Sequence, residues 1–290
     1  MSPKLIGAKI SRLTESDISQ LLELATEIGW GYNRANWLQF LNLGIVVGHR
    51  LENDRVISCA VMVRYGASLN WLTSFIVSPS FQRRGLAQDL WLFLKNQIPD
   101  SKTPVGLVST VEGLPFYQSM GFKESRSVHK FVRANGVGIV LPNVQSVSRI
   151  VSVNSIDQLK IIEMDKLAVG LSRAEMIESK LSNCVSAVKA IDDKQQTCGF
   201  AIAVVEGDQL CIGPVVARDW QTALNLILTV AVNYNGPMRL DIVANNELLR
   251  NELLTHGFLQ SRIAPVLSYG DIPLPSVQRE YFALAAQALG

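Results

Sequence analysis

The sequence predicts a mixed α/β protein (α+β, mixed sheet) in which one plan of strands and helices is laid down twice. Three observations predict it. The chain has 290 residues, long for a single core, so two domains are expected. In each half, short apolar or alternating runs of strand character are interleaved with amphipathic helical stretches. Each half also follows a strand and a helix of similar length with the same dipeptide, Gly121-Phe122 in the first and Gly257-Phe258 in the second.

Taken in order, the alternation Lys9-Ile10-Ser11-Arg12-Leu13 reads as a strand, and Ser16 or Asp17 can cap the helix carrying Leu21, Leu22 and Ala25. A short helix through Trp37, Phe40 and Leu41 follows. Three strands, Ile45 to His49, Val56 to Arg64 and Asn70 to Val77, form a meander through turn signals at Glu52-Asn53-Asp54 and Gly66-Ala67. Pro79 stops the third strand, and a helix begins near Leu86 with Leu86, Leu90, Phe93 and Leu94 on one face. A strand from Val105 to Ser109 leads to a helix from Leu114 to Met120, ended by Gly121 as a left-handed cap with Phe122 tucked behind it. Val128 to Val132 is the closing strand.

The second half repeats the order. A strand from Ile150 to Val153 precedes a helix opened by Ser155-Ile156-Asp157, then strands from Ala187 to Ile191, Gly199 to Val205 and Gln209 to Val216. Asp219 caps a helix through Leu224, Leu228 and Ala231; Met238 to Ala244 is a strand and Asn246 to His256 a helix. The apolar stretch Tyr281 to Ala286 is expected to pack on this half. A linker rich in Gly, Pro and Asn, around Asn135 to Gln145, divides domains at 1–136 and 146–290.

Composition removes several function classes. Hydrophobic residues make up 48% of the chain and charged residues 18%, which argues against disorder. With 27 Lys+Arg against 25 Asp+Glu there is no basic field to hold nucleic acid. The longest apolar candidate, Ala223 to Val232, is too short for a bilayer and carries Asn225. Met1-Ser2-Pro3-Lys4-Leu5 has no signal-peptide core, so a cytoplasmic protein is expected. Cys59, Cys184, Cys198 and Cys211 form no CxxC pair and suit buried free thiols better than disulfides. His49, His129 and His256 have no metal-ligand spacing, and no metal is expected.

The segment Gln82-Arg83-Arg84-Gly85-Leu86-Ala87 carries the chemistry. It sits between a strand and a helix, where N–H groups of the first turn lack intrahelical partners and can receive phosphate oxygens. Gly85 lets a diphosphate approach the backbone, Ala87 keeps the helix start open, and Arg83 and Arg84 add positive charge. A basic turn before an ordinary amphipathic helix would read the same way.

This string resembles the [Gln/Arg]-x-x-Gly-x-[Gly/Ala] signature with which acyl-coenzyme A-dependent N-acyltransferases of the GNAT superfamily hold the pyrophosphate of the cofactor. The order of elements from about Ile10 to Arg133 resembles a GNAT domain, and Tyr117-Gln118-Ser119-Met120-Gly121-Phe122 is similar to the family's Tyr-x-x-x-Gly-Phe ending. The resemblance implies acetyl-CoA as cofactor and transfer to an amine by direct attack. It implies main-chain contacts to the pantetheine arm from Phe75, Ile76 and Val77, on a central strand that splays from its neighbour at a bulge. It makes Tyr117 the proton donor to the leaving thiolate, where a core tyrosine with a satisfied hydroxyl is the plain alternative. The general base stays open: the central strand has no carboxylate, and Glu112 suits a helix-start charge better.

The acceptor side is expected at the first helices, where Trp30, Tyr32, Asn33 and Trp37 could wall a small amine or could be ordinary core. The Gly-Trp and downstream Trp pattern also resembles a bacterial subgroup with two GNAT-like domains, whose first copy keeps the coenzyme A signature. The second copy reads Ala217-Arg218-Asp219-Trp220-Gln221-Thr222-Ala223 after its central strand and has Leu253 where Tyr117 would align. It is therefore expected to be silent and to complete the substrate cleft. Arg173, near Asp165 and Ser172, is a candidate for pairing a substrate carboxylate or a solvent-facing helix-start arginine. The functions in play are an acetyltransferase for a small primary amine or amino-acid-like metabolite, one acting on a peptide or protein amine, and an acyl-CoA-binding sensor or scaffold without turnover.

Overall fold

In the computed structural model, which describes residues 7–141, 148–243 and 246–290, the chain divides into two compact units. The end of the expected linker at Gln145 and of the expected strand at Ala244 lie outside the described residues.

The first unit comprises Met1–Leu107, Pro115–Lys123 and Ser268–Leu274. Strand β1 (Lys9–Arg12) ends at a reciprocal capping box, in which Asp17 accepts the Thr14 N–H at 2.8 Å. Thr14 thus takes the capping role expected of Ser16 or Asp17, while buried Asp17 returns the bond of the box and also pairs with Arg50 at 2.7 Å. Helix α1 (Ile18–Glu27) ends with Gly29 at φ +74°: the Gly29 N–H reaches Thr26 O at 3.0 Å and the Trp30 N–H reaches Ala25 O at 2.9 Å. This pair of bonds is a Schellman closure, and the left-handed residue it needs is the reason for glycine here.

Helix α2 (Arg34–Leu43) leads into strands β2 (Gly44–Arg50), β3 (Val56–Tyr65) and β4 (Leu69–Val77), then helix α3 (Leu86–Lys95), strand β5 (Val105–Val108) and helix α4 (Leu114–Ser119). The strand order is β1-β2-β3-β4-β5, antiparallel except for the parallel pair β4–β5. Nine-tenths of β3 is buried, as expected of an inner strand covered on both faces. On α3 the buried face is Leu86, Leu90, Trp91 and Leu94, so Trp91 takes the place expected of half-buried Phe93. Trp91 packs on Phe122 at 5.1 Å and on Tyr269 at 4.9 Å between ring centroids. Tyr269 belongs to the distant segment Ser268–Leu274, which is further tied by the Gly270 N–H to Gly121 O at 3.0 Å.

The second unit comprises Val108–Leu114, Glu124–Leu267 and Pro275–Gly290. It contains most of β6 (Phe122–Arg133), then β7 (Arg149–Ser152), α5 (Gln158–Val169), α6 (Ala174–Ser182), β8 (Ser186–Ile191), β9 (Thr197–Glu206) and β10 (Gln209–Ala217). After these come α7 (Trp220–Ala231), β11 (Met238–Val243), α8 (Glu247–Thr255), β12 (Leu259–Tyr269) and β13 (Tyr281–Ala283). Its strand order is β12-β6-β11-β13-β10-β9-β8-β7. Helix α7 is buried nearly all round, with Leu226, Ile227 and Val230 packed in a core with Phe131, Leu240, Phe258 and Phe282.

The compact units depart from a division at 136 and 146. The strand expected to close the first half runs longer and pairs antiparallel with β11, from Met238 opposite Arg133 to Val243 opposite Val128. Ser268–Leu274 in turn belongs to the first unit. Each half of the sequence therefore lends a late segment to the unit built mainly from the other half. The stretch from Tyr281 to Ala286 is buried, as expected, and its first residues form β13. All four cysteines are free; Cys59 and Cys211 are buried, whereas Cys184 and Cys198 are half-buried. Among the described residues no helix is long and apolar enough to cross a membrane.

Candidate active site

Strand β4 is regular only in part. It pairs with β5 at Asn70–Val105 and Trp71–Gly106, and from Leu72 to Val77 that edge has no strand partner among the described residues. On its other edge Thr73 faces Val61 and Ile76 faces Cys59, so Ser74 and Phe75 together oppose Ala60. This is a β-bulge, and Ser74 sits in it at φ +52°, a left-handed conformation uncommon for a residue with a Cβ. The Cys59 thiol donates to Ser74 O at 3.5 Å, and the Ser74 hydroxyl donates to Tyr32 Oη at 3.2 Å.

Beyond Val77 a short 3-10 turn (Pro79–Phe81) leads to Arg83 at φ +61° and Gly85 at φ +84°, and α3 starts at Leu86. No side chain caps this helix, and its ladder begins with the Asp89 N–H to Gly85 O at 3.0 Å. The N–H groups of Gly85, Leu86, Ala87 and Gln88 therefore have no protein acceptor among the described residues. A Cβ on Gly85 would meet no atom within 4 Å, so the space beside it is open. Gln82, Arg83 and Arg84 are exposed; Arg84 donates to Ser80 O at 3.2 Å, and Gln82 donates to Val77 O at 3.1 Å. Leu86 is buried and Ala87 half-buried, so the turn is anchored by one side chain and open at the next.

Tyr117, on α4, packs edge-on against Phe75 of the bulge at 5.9 Å and against Phe122 at 5.7 Å. Its hydroxyl makes no hydrogen bond to the described residues. Burial, and then the neighbouring Tyr32 phenol, push its pKa well above the usual tyrosine value, so the group holds its proton. Phe75 and Val77 are half-buried and Ile76 is buried, with their main chain on the unpartnered edge of β4.

The acceptor candidates separate. Trp30 and Tyr32 are half-buried and meet edge-to-face at 5.8 Å, and Tyr32 reaches the bulge through Ser74. Trp37 is fully buried against Tyr32 and Phe40, so its side chain is core and has no open face for a substrate. Asn33 caps α2 by accepting the Asn36 N–H at 3.0 Å, with Asn36 returning the bond at 2.9 Å. Glu112 is exposed, and its carboxylate is held below the usual range by its own backbone N–H and by Thr110. Arg173 requires a correction. Its side chain is 1% exposed and forks onto Asp165 at 2.6 and 3.0 Å, with Tyr281 Oη at 3.2 Å and the Gly290 carbonyl as further acceptors. A guanidinium so enclosed is neither a solvent-facing group nor one free to take a substrate carboxylate.

The residue that sequence reasoning missed is Ser74. A glycine at a left-handed bulge would have been a signal; a serine in a run of strand formers gives none.

At the matching place in the second unit the chemistry is reversed. Helix α7 is capped by Asp219, whose carboxylate accepts the Thr222 N–H at 2.7 Å. The helix start that is open in the first unit carries a bound negative charge here, held below the usual carboxylate range by its hydrogen bonds to Thr222 and by Arg218, against the opposing effect of burial. Among the described residues no group of His, Cys, Asp and Glu is arranged to hold a metal.

Comparison with known proteins agrees with this doubled plan. Two family profiles, each described as an acetyltransferase (GNAT) domain, match residues 49–139 and 161–283. A curated relative, the "Uncharacterized N-acetyltransferase YitH" of Bacillus subtilis (strain 168), is 27% identical over 97% of this chain and 98% of its own. A Pyrococcus horikoshii protein solved as a candidate acetyltransferase superposes with a TM-score of 0.79 at 18% identity, covering 99% of this chain and 98% of its own. A tandem GNAT protein from the clavulanic acid biosynthesis pathway gives 0.69 at 14% identity, covering 90% and 98%. The chain is an acyltransferase of the GNAT superfamily, built from two GNAT domains in tandem.

Proposed function

We propose that the protein transfers an acetyl group from acetyl-CoA to a primary amine of a small, amino-acid-like molecule, and that the chemistry belongs to the first copy alone. The observation that carries this reading is the contrast between two helix starts: Gly85 opens α3 with free N–H groups, whereas Asp219 closes α7 with a carboxylate.

The residues present fit the cofactor. The N–H groups of Gly85 to Gln88 are donors for a diphosphate, and the open space beside Gly85 admits it. Arg83 and Arg84 add charge from the exposed turn. The unpartnered edge of β4 from Leu72 to Val77 offers main-chain groups to an extended pantetheine arm. When bound, acetyl-CoA supplies the thioester carbonyl that an amine attacks. Tyr117 keeps its proton at Oη, in position beside Phe75 to serve a departing thiolate. Trp30 and Tyr32 form an aromatic wall on the acceptor side, and Asn33 takes part through the loop it caps.

One observation favours a second reading, a cofactor-binding sensor: β4 carries no carboxylate to take the amine proton. A thiol-release assay over a panel of small amines and short peptides distinguishes the readings. Release with at least one small amine supports the transferase; release with peptides alone moves the acceptor to a polypeptide. A folded protein that binds acetyl-CoA and releases no thiol with any amine leaves the sensor.

A further inference from the structure

The second copy keeps the backbone of a cofactor groove and fills it with its own chain. Strand β10 pairs in parallel with β11 only at Leu210–Met238 and Cys211–Arg239, then splays, as β4 does from β5. It also has a bulge: Ile212 faces Ala203 and Val215 faces Ala201, so Gly213 and Pro214 together oppose Ile202. In the first copy the edge beyond that splay has no strand partner among the described residues. In the second, β13 enters it antiparallel, with Ala283 opposite both Val215 of β10 and Ile242 of β11.

The fit is close. The Ala217 N–H donates to Glu280 O at 2.9 Å, and the Leu284 N–H donates to Asp241 O at 2.9 Å. A Cβ on Gly213 would lie 1.9 Å from Leu284 O, so the segment passes where only glycine leaves room. Tyr281, Phe282, Ala283, Leu284 and Ala285 are each at most 5% exposed. The segment is latched by Arg173, which holds Tyr281 Oη and the Gly290 carbonyl while paired with Asp165, and by Gln287 Nε2 on Asp241 at 2.6 Å. This network explains the burial of Arg173 and assigns it a partner other than substrate.

We infer that the splay between β10 and β11 is a strand-accepting site whose ligand is the segment Arg279–Gly290 of the same chain, recognised by backbone pairing and by the Arg173–Asp165 latch. The groove built to receive an extended arm receives an extended peptide, and the second copy is thereby closed to cofactor independently of its capped helix. The inference rests on backbone geometry in the second unit and stands whether or not the first copy turns over an amine.

The test uses hydrogen exchange and a peptide. In the full chain carrying Gly213→Ala, the Leu284 and Ala217 amides should exchange at least tenfold faster than in the parent, while amides of β3 stay unchanged. In a chain ending at Gln278, a synthetic peptide of residues 279–290 should bind 1:1 and raise the melting temperature, and a scrambled peptide should not. If the truncated chain fails to fold, the Gly213→Ala exchange decides. Unchanged protection of Leu284 in Gly213→Ala overturns the inference. So does a folded truncated chain that ignores the peptide or takes up a second coenzyme A.

Discussion

Replacing Gly85 by alanine separates two roles of this residue that the geometry superimposes. Gly85 lies at φ +84°, and a Cβ there would touch nothing within 4 Å. The cost to the fold is thus conformational alone, about 1–2 kcal/mol for an L-residue held left-handed. That lowers the melting temperature by roughly 2–8 °C for a chain of this kind. Gly66 supplies the control, because it is also left-handed, at φ +57°, with nothing within 4 Å, but it lies in the β3–β4 turn away from α3. Gly66→Ala should cost the same stability and leave coenzyme A affinity alone. Gly85→Ala should in addition weaken affinity by about 10–100-fold, the equivalent of losing one charge-assisted hydrogen bond worth ~1.5–3 kcal/mol. Gly85→Glu, adding charge against a diphosphate, should abolish binding. Titration calorimetry on the three variants, with scanning fluorimetry for stability, reads both quantities. Equal affinities for Gly85→Ala and Gly66→Ala would refute the placement of the diphosphate at this turn.

Further predictions concern the proton donor, the buried histidine and the latch. Tyr117→Phe should lower kcat at least tenfold while coenzyme A affinity holds, since the hydroxyl has no hydrogen-bond partner among the described residues. Because its folded pKa is raised, the stabilising difference between parent and Tyr117→Phe should be constant below pH 10 and shrink above it, read from urea midpoints across pH. His49 is buried with Nδ1 at 2.8 Å from Ser58 Oγ, and desolvation, partly offset by Asp89, lowers its pKa below 6.5. The unfolded chain then takes the proton first, so stability is lost as pH falls through 6.5, and His49→Gln should flatten that limb of the urea midpoint. Removing one partner of the Arg173–Asp165 pair, each side chain 1% exposed, should cost about 3–5 kcal/mol. The double replacement Arg173→Met with Asp165→Leu should cost less than the two singles summed, as measured by a denaturant double-mutant cycle.

What was legible in the sequence were features carried by local chemistry. Asp219 caps its helix as its position announces, and Gly257 closes α8 by the bonds a left-handed residue permits, Gly257 N–H to Leu254 O and Phe258 N–H to Leu253 O, each at 3.0 Å. The opening at Gly85 belongs with these, because a glycine between a strand and a helix has few other uses. What depended on distant partners was not legible. Nothing in Lys130 or Val132 tells that their strand will pair with Met238–Val243, since a strand's own alternation names a face and not a neighbour. Strands β12 and β13 and helix α6 were not separated from their surroundings in the sequence for the same reason. Arg173 shows the limit most clearly: a helix-start arginine and a buried latch have the same sequence, and only Tyr281, more than a hundred residues away, decides between them.

The placing of Ser268–Leu274 in the first unit also sets a clock on biosynthesis. The aromatic faces of Trp91 and Phe122 wait for Tyr269, which the ribosome adds only after the whole of Glu124–Leu267 has been made. At about 5–20 residues per second that delay is roughly 7–30 s, long against most elementary folding events. Until then the first unit has a seam of exposed aromatic surface beside α3. A fragment cut at the linker would carry that seam permanently. The first unit, although begun first, is therefore completed only after Tyr269 has been made.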